Sequence, residues 1–195
     1  MRKLSLSSEA RAAAARAVAD DPRLAAFPVQ QLVRSRVHAF QLAFANEAVA
    51  RLGVPGKDVF YEPSYRGLRV LGATEMALAG PARALGNWYG PHVAIRPAQV
   101  HYHSGDEVRE PVMAVVVRAP RRLAPEVRKD LQRRDAELGE ISFHRGACVV
   151  RARATQAELL GYPAWLDALT DGTGEVWMRL SHYAPVVRDP GPAAA

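Results

Sequence analysis

The spacing of hydrophobic residues changes near residue 68. Over 28–52, Val29, Leu32, Val33, Val37, Phe40, Phe44 and Val49 recur every three or four positions, which predicts a single helix. Pro28 suits its first turn and Gly53 its C-terminal cap. Upstream, Ser7, Ser8 and Glu9 precede an alanine-rich run, which predicts a helix over 7–20 that stops before Pro22. Residues 53–67 carry two prolines and three glycines and read as a loop.

From Leu68 onward, strands and helices alternate. RGLRVLGA reads as a strand, 74–90 as a helix interrupted near Pro81, and HVAIRPAQVHYH as extended chain. Val112, Met113, Val115, Val116 and Val117 form a buried-strand run. Leu123, Val127, Leu131 and Leu138 make one stripe of a helix over 123–138. Strands follow at GEISFHRG and ACVVRARAT, joined by a turn at Arg145–Gly146. A helix over 156–170, interrupted by Gly161 and Pro163, leads to a last strand, GEVWMRLSHYAPV.

The order over 111–187 is β-α-β-β-α-β, the split-βαβ, ferredoxin-like pattern with an antiparallel sheet and both helices on one face. Residues 67–103 supply β-α-β, the back half of a second such unit. The expected fold class is therefore α+β, with two small ferredoxin-like units of antiparallel sheets and an extra N-terminal helical segment. The expected division is a first unit over 1–106 with a helical insertion at about 28–66, a second over 107–188, and a disordered tail over 189–195.

The charge is uneven. The chain has 195 residues, 26 basic and 20 acidic, a net charge of +6, and 23 of the basic residues are arginine. Between Arg118 and Arg134, seven basic residues face only Glu126 and Asp130, and Arg145, Arg151 and Arg153 follow with no acidic residue between Ile141 and Ala157. Clustered cations of this kind attract phosphates. Their densest set, Arg122, Arg128, Lys129, Arg133, Arg134 and Arg145, is the candidate RNA-binding surface. The alternative is a solvated helix face with carboxylates paired at i, i+4.

Enzymatic chemistry finds little support. No phosphate-binding G-x-x-x-x-G-K-[ST] and no G-x-G-x-x-G occurs, so no nucleotide site is visible. Cys148 is the only cysteine and lies in a strand, which excludes a multi-cysteine metal centre and favours a buried role. His101 and His103 share a strand face but lack a third ligand. The expected sites are therefore catalytic none and metal none, with no cofactor, no small-molecule substrate and no membrane contact. No run of about 18 apolar residues occurs, and the composition suits a cytoplasmic protein.

The stretch Glu110–Pro185 resembles domain V of elongation factor G. The landmarks are EPVMAVVV (110–117), DLQRR (130–134), RGACVVRA (145–152), LLGYPAWLDALTDGTG (159–174) and SHYAP (181–185). RVLGATEMAL (69–78) and IRPAQVHY (95–102) look like the second half of domain III, and ARAVADDPRL (15–24) is similar to that domain's first helix. The resemblance implies a domain III joined directly to a domain V, without the GTPase domain. It further implies docking near the stalk base and sarcin–ricin loop of the large ribosomal subunit, through Arg134, Gly161 and Tyr162, with His182 and Tyr183 at the end of the last strand. Asp135, Ala136, Asp167 and Thr173 depart from the family pattern, placing acidic or neutral groups where Arg or Gly is usual.

Two functions are expected from this reading. The first is a non-enzymatic ribosome- or rRNA-binding protein that modulates or protects translation. The alternative is a protein-interaction module that kept the fold and docks a protein partner through helix 28–52, with Val33, Val37, Phe40 and Phe44 as the contact residues.

Overall fold

The computed structural model describes residues 23–104 and 107–186. The expected helix over 7–20 and the tail over 189–195 lie outside the described residues. The first half contains β1 (Val29–Ser35), α1 (Gln41–Leu52), β2 (Val59–Ser64), β3 (Gly67–Gly72), α2 (Glu75–Tyr89) and β4 (Val93–Ile95). Its antiparallel sheet has the order β2-β3-β1-β4, and β5 (Gln99–Val100) also pairs with β1. This is a whole split-βαβ unit rather than its back half.

The single helix over 28–52 is thus corrected to a strand, a short loop and a helix, and the insertion at 28–66 is an integral part of the sheet. Val29 and Val33 both sit fully buried on one side of β1. Residues four apart share a face at a period of 2 and nearly so at 3.6, so their spacing is blind to the difference. Likewise 59–64, which the glycines and prolines around it make look like loop, pairs along its whole length with β3. The helix over 74–90 is corrected as well: α2 runs unbroken through Pro81 because Leu78 and Leu85, one on each side of it, are both buried against the sheet.

The second half contains β6 (His103–Ser104), β7 (Val108–Pro120), α3 (Ala124–Arg133), β8 (Glu137–His144), β9 (Ala147–Thr155), α4 (Gln156–Leu159), α5 (Tyr162–Thr170) and β10 (Glu175–Pro185). The order β10-β7-β9-β8 repeats the first topology, every pairing is antiparallel, and β6 pairs with the start of β7. Val115, Val117, Val150 and Ala152 from the sheet, Val127 and Leu131 from α3, and Leu159, Tyr162 and Leu166 from α4 and α5 share one core. Both helical layers therefore cover the same face. The helix expected over 123–138 ends at Arg133: Asp135 takes a positive φ of 52° and turns the chain, so Leu138 packs from β8 instead.

One contact fixes how the β2–β3 hairpin lies on β1. Gly67 has φ 129°, and a Cβ there would overlap the Val33 carbonyl oxygen and lie 3.0 Å from Arg34 Cγ. Gly67→Ala should therefore destabilise the protein by more than about 2 kcal/mol, measured by urea unfolding.

The outer face of the first sheet is covered by Leu24 and Phe27, which pack on Phe60 and Leu71. His101 Nδ1 donates to the Phe27 carbonyl at 2.9 Å, and burial, assisted by the charge of Arg69, lowers its pKa below the ordinary 6.5 although that bond opposes the shift. As pH falls the unfolded chain takes up this proton first, so the stability held by neutral His101 is complete above about pH 6.5 and is lost below it. Between pH 7.5 and 5.5 the urea midpoint should fall more in the native protein than in His101→Gln.

Candidate nucleic-acid interface

Helix α3 presents Val127 and Leu131 to the core, which leaves Arg128, Lys129 and Arg133 exposed on the opposite side. Pro125 occupies its first turn and Glu126 complements its N-terminus. The 3-10 turn Arg121–Leu123 enters the helix, and the Arg121 N–H donates to the Gly146 carbonyl at 2.8 Å. The Arg121 guanidinium sits 5.1 Å over the Phe143 ring. These contacts bring the β8–β9 hairpin tip against the start of α3. At the tip, Arg145 and Gly146 have φ of 42° and 82°, the pair of positive values that a two-residue hairpin turn requires. Arg122 and Arg145 thus share one end of the sheet, and Arg128 lies about 9 Å further along the helix by its rise per residue.

Arg122, Arg128, Lys129 and Arg145 are exposed and make no ion pair among the described residues. Arg133 and Arg134 behave differently. Asp130, one turn back, is only 5% exposed and takes Arg133 Nη2 at 2.7 Å and Arg134 Nε at 2.7 Å. Arg134 Nη1 then donates to the carbonyls of Glu158 at 2.6 Å and Leu160 at 3.3 Å, with its guanidinium 5.3 Å from the centre of the Tyr162 ring. Arg134 ties α3 to the α4–α5 turn, and its Nε and Nη1 donors are already engaged inside the protein. It is corrected from a phosphate contact to a fold-holding residue. Arg133, bound through one nitrogen, keeps an exposed side chain.

The other residues implied by resemblance fall apart from this surface. Tyr162 is fully buried in the core, with its hydroxyl lacking a hydrogen-bond partner and its pKa pushed up mainly by burial and then by the charge of Asp130. Its ring cannot meet RNA in this conformation. Gly161, at φ 74°, donates its N–H to Glu75 Oε2 at 2.8 Å, which joins the second unit to the first turn of α2. Alongside this bond, α2 and α5 flank an apolar cleft of about 350 Å³ lined by Met76, Ala79, Pro163 and Ala164. His182 is exposed just after a register shift in β10 and lies beside Ser181 Oγ at 3.2 Å. Tyr183 is partly buried against His103, with ring centroids 5.7 Å apart and its phenol pushed up to about 12 by burial. Both lie at the β7 start, the opposite end of the sheet from Arg122 and Arg145.

The proposed docking helix is likewise dispersed. Val33 and Phe44 are core residues of the first unit and are withdrawn as contact residues, whereas Val37 and Phe40 stand out in the β1–α1 loop. On the open face of the second sheet, Arg118 meets Glu175 at 3.1 Å, Arg151 meets Glu140 at 3.7 Å and Arg153 meets Glu137 at 4.0 Å. Those three arginines are matched by cross-strand carboxylates, whereas Arg179 on the same face is exposed without an ion pair among the described residues, and α3 with its adjoining turns carries four more unmatched cations. Arg121, which the charge count included but the candidate set left out, belongs to this surface. Cys148 is buried in the core, and burial raises its thiol pKa. Among the described residues no helix is long and apolar enough to cross a membrane.

Residues 107–192 match the family described as elongation factor G C-terminus, a likeness to a part of such factors other than their GTPase domain. Elongation factor G of Granulibacter bethesdensis is 31% identical over 86 residues, 44% of this chain and 12% of that protein. Elongation factor G 2 of Hahella chejuensis is 39% identical over 75 residues, 38% of this chain and 11% of that protein. Elongation factor G of Aquifex pyrophilus is 36% identical over 77 residues, 40% and 11% respectively. The matched segment thus spans about a tenth of these relatives. A crystal structure of a Thermus thermophilus protein superposes with a TM-score of 0.56 at 17% identity, covering 83% of this chain and 41% of that one, a likeness of fold that reaches into the first unit. The chain is therefore related to translation factors through its second half.

The clamp on Arg134 has a measurable weight. Asp130→Ala leaves a largely buried guanidinium without its counter-charge and should cost about 3 kcal/mol in urea unfolding. Combined with Arg134→Met in a double-mutant cycle, it should show a coupling of about 1.5–3 kcal/mol.

Proposed function

We propose that this protein is a non-enzymatic, cytoplasmic translation-factor relative that binds the large ribosomal subunit through α3 and its adjoining turns, and so occupies or shields a factor-binding surface. The observation that carries this reading is the group of four exposed cations without ion pairs, Arg122, Arg128, Lys129 and Arg145, set on a segment that matches the elongation factor G C-terminus family. Guanidinium and ammonium groups free of carboxylates are available to phosphate oxygens, and each contact releases a condensed counterion. Arg121 and Arg133 border the group, the one placed over Phe143 and the other held by a single bond to Asp130.

The exposed carboxylates of Asp135 and Asp167 oppose phosphate, so the proposed affinity is moderate and strongly salt-dependent. No step of bond making or breaking is assigned to the chain. Its effect would come from steric occupancy, since a factor using the same rRNA surface cannot bind at the same time.

Co-sedimentation with purified large subunits tests this. Four phosphate contacts correspond to a log–log salt slope of about −3.5 on a duplex. Affinity should therefore fall roughly 50-fold between about 100 and 300 mM salt. Arg128→Glu with Lys129→Glu should weaken pelleting at least about tenfold, while Arg83→Glu on exposed α2 should leave it intact. Equal pelleting of both variants would refute the assignment to α3.

A further inference from the structure

The end of the first sheet remote from Gly53–Asp58 carries an uncommon combination of exposed rings and unopposed charge. Four antiparallel strands place the β1–α1 loop, the β2–β3 hairpin and the 3-10 turn Gly90–His92 together there. Gly67 sits so close to β1 that the hairpin tip lies beside Arg34, and the Arg36 N–H donates to the His92 carbonyl at 2.8 Å. From this end Phe40 projects at 81% exposure, Tyr65 at 86% and Val37 at 62%.

The segments carrying these rings are held in place. Ser35 Oγ accepts the N–H groups of Val37 at 3.2 Å and His38 at 2.9 Å. The Gln41 side chain accepts from the Ser35 N–H at 3.0 Å and donates to the carbonyls of Ser35 at 3.0 Å and His38 at 2.8 Å. In the hairpin, Ser64 Oγ donates to the Gly67 carbonyl at 2.8 Å and accepts from the Arg66 N–H at 3.2 Å. Hydrogen bonds inside both segments thus fix a backbone that points two aromatic rings at water. A phenylalanine held outward in this way buries nothing within its own chain.

The charge nearby has one sign. Arg34, Arg36 and Arg66 are exposed and pair with no carboxylate among the described residues, and neither 34–41 nor 64–67 contains an acidic residue. Glu62, the nearest carboxylate in sequence, is engaged by Arg69. Exposed rings and free guanidiniums at one end of a sheet suit a strand of unstacked bases on a phosphate backbone, because bases stack on rings and phosphates pair with arginine. A neutral or basic protein surface would leave the three cations unanswered, and a duplex offers no open base faces.

We propose that this end of the first unit is a docking site for an unpaired nucleic-acid strand, with Phe40 and Tyr65 stacking on bases and Arg34, Arg36 and Arg66 holding phosphates. It lies outside the segment that matches elongation factor G and works independently of the α3 surface. It would give the chain a second, sequence-tolerant grip on any partner that exposes a single-stranded loop.

Fluorescence anisotropy of the full chain with a labelled 12-nucleotide oligouridylate tests this. The proposal expects saturable binding that is weaker for a 12-base-pair RNA duplex. Phe40→Ala and Tyr65→Ala should each lose about tenfold in affinity with unchanged melting temperature, and Phe40→Trp should retain binding. The salt slope should be about −2 for three phosphates on a single strand, and Arg36→Glu should make it shallower. Absence of binding, or equal binding by the two alanine variants and the native protein, overturns the proposal. So does a dimer in sedimentation equilibrium that Phe40→Ala disperses, since a second copy would then be the occupant.

Discussion

The Asp130 carboxylate is the point through which the second unit holds its shape. It lies on the inner side of α3, nearly out of water, and its cost of desolvation is offset by two guanidiniums on the next turn. Arg134, aligned by that carboxylate, donates onward to two carbonyls of the α4–α5 turn and caps the face of Tyr162. The same turn leaves Gly161 in the left-handed region with its N–H aimed at Glu75 of α2. One ion pair therefore leads from a helix of the second unit, through a left-handed turn, to the first turn of a helix in the first.

That relay changes how the charge of α3 is interpreted. Counted along the chain, Arg133 and Arg134 look like the strongest part of a basic patch, yet one is tied through one nitrogen and the other through two. What remains available is a smaller set spread from the hairpin tip to the middle of α3. The open face of the sheet is neutralised in a different way, by cross-strand pairs between exposed side chains that contribute little to stability. A surface that is basic by composition thus resolves into an internal clamp, a sheet face matched except at Arg179, and a short run of free cations.

The second unit was legible because its signals agree. The apolar run Val112–Val117 is a strand as expected, although only Met113, Val115 and Val117 are buried and Val112 and Val116 lie half-buried on the open face. The Arg145–Gly146 turn fixes the hairpin, and Gly161 interrupts the helix where the structure breaks it. The first unit was half hidden. Val29 and Val33 fit a helix and a strand equally, and Phe40 fell on the apparent stripe although it caps α1 and faces water. The i, i+4 pairing of Arg134 with Asp130 was open to a local reading, but the bonds of Arg134 to the Glu158 and Leu160 carbonyls reach 24 and 26 positions along the chain, which no local pattern encodes. The exposed ring of Tyr65 had a local sign in its Ser-Tyr-Arg-Gly turn, but its neighbours Arg34 and Phe40 come from a strand and loop that the helical reading concealed.

The chain has three lysines, Lys3, Lys57 and Lys129, and this allows a direct test of which surface meets the ribosome. Lys129 stands on the exposed side of α3 and Lys57 in the loop that precedes β2, both open to solvent. Acetylation by a water-soluble reagent, followed by mass spectrometry, can be run with and without saturating large subunits. The account predicts that Lys129 becomes several-fold slower to react while Lys57 keeps its rate. Unchanged reactivity of Lys129 in the bound complex, or protection confined to Lys57, would contradict it.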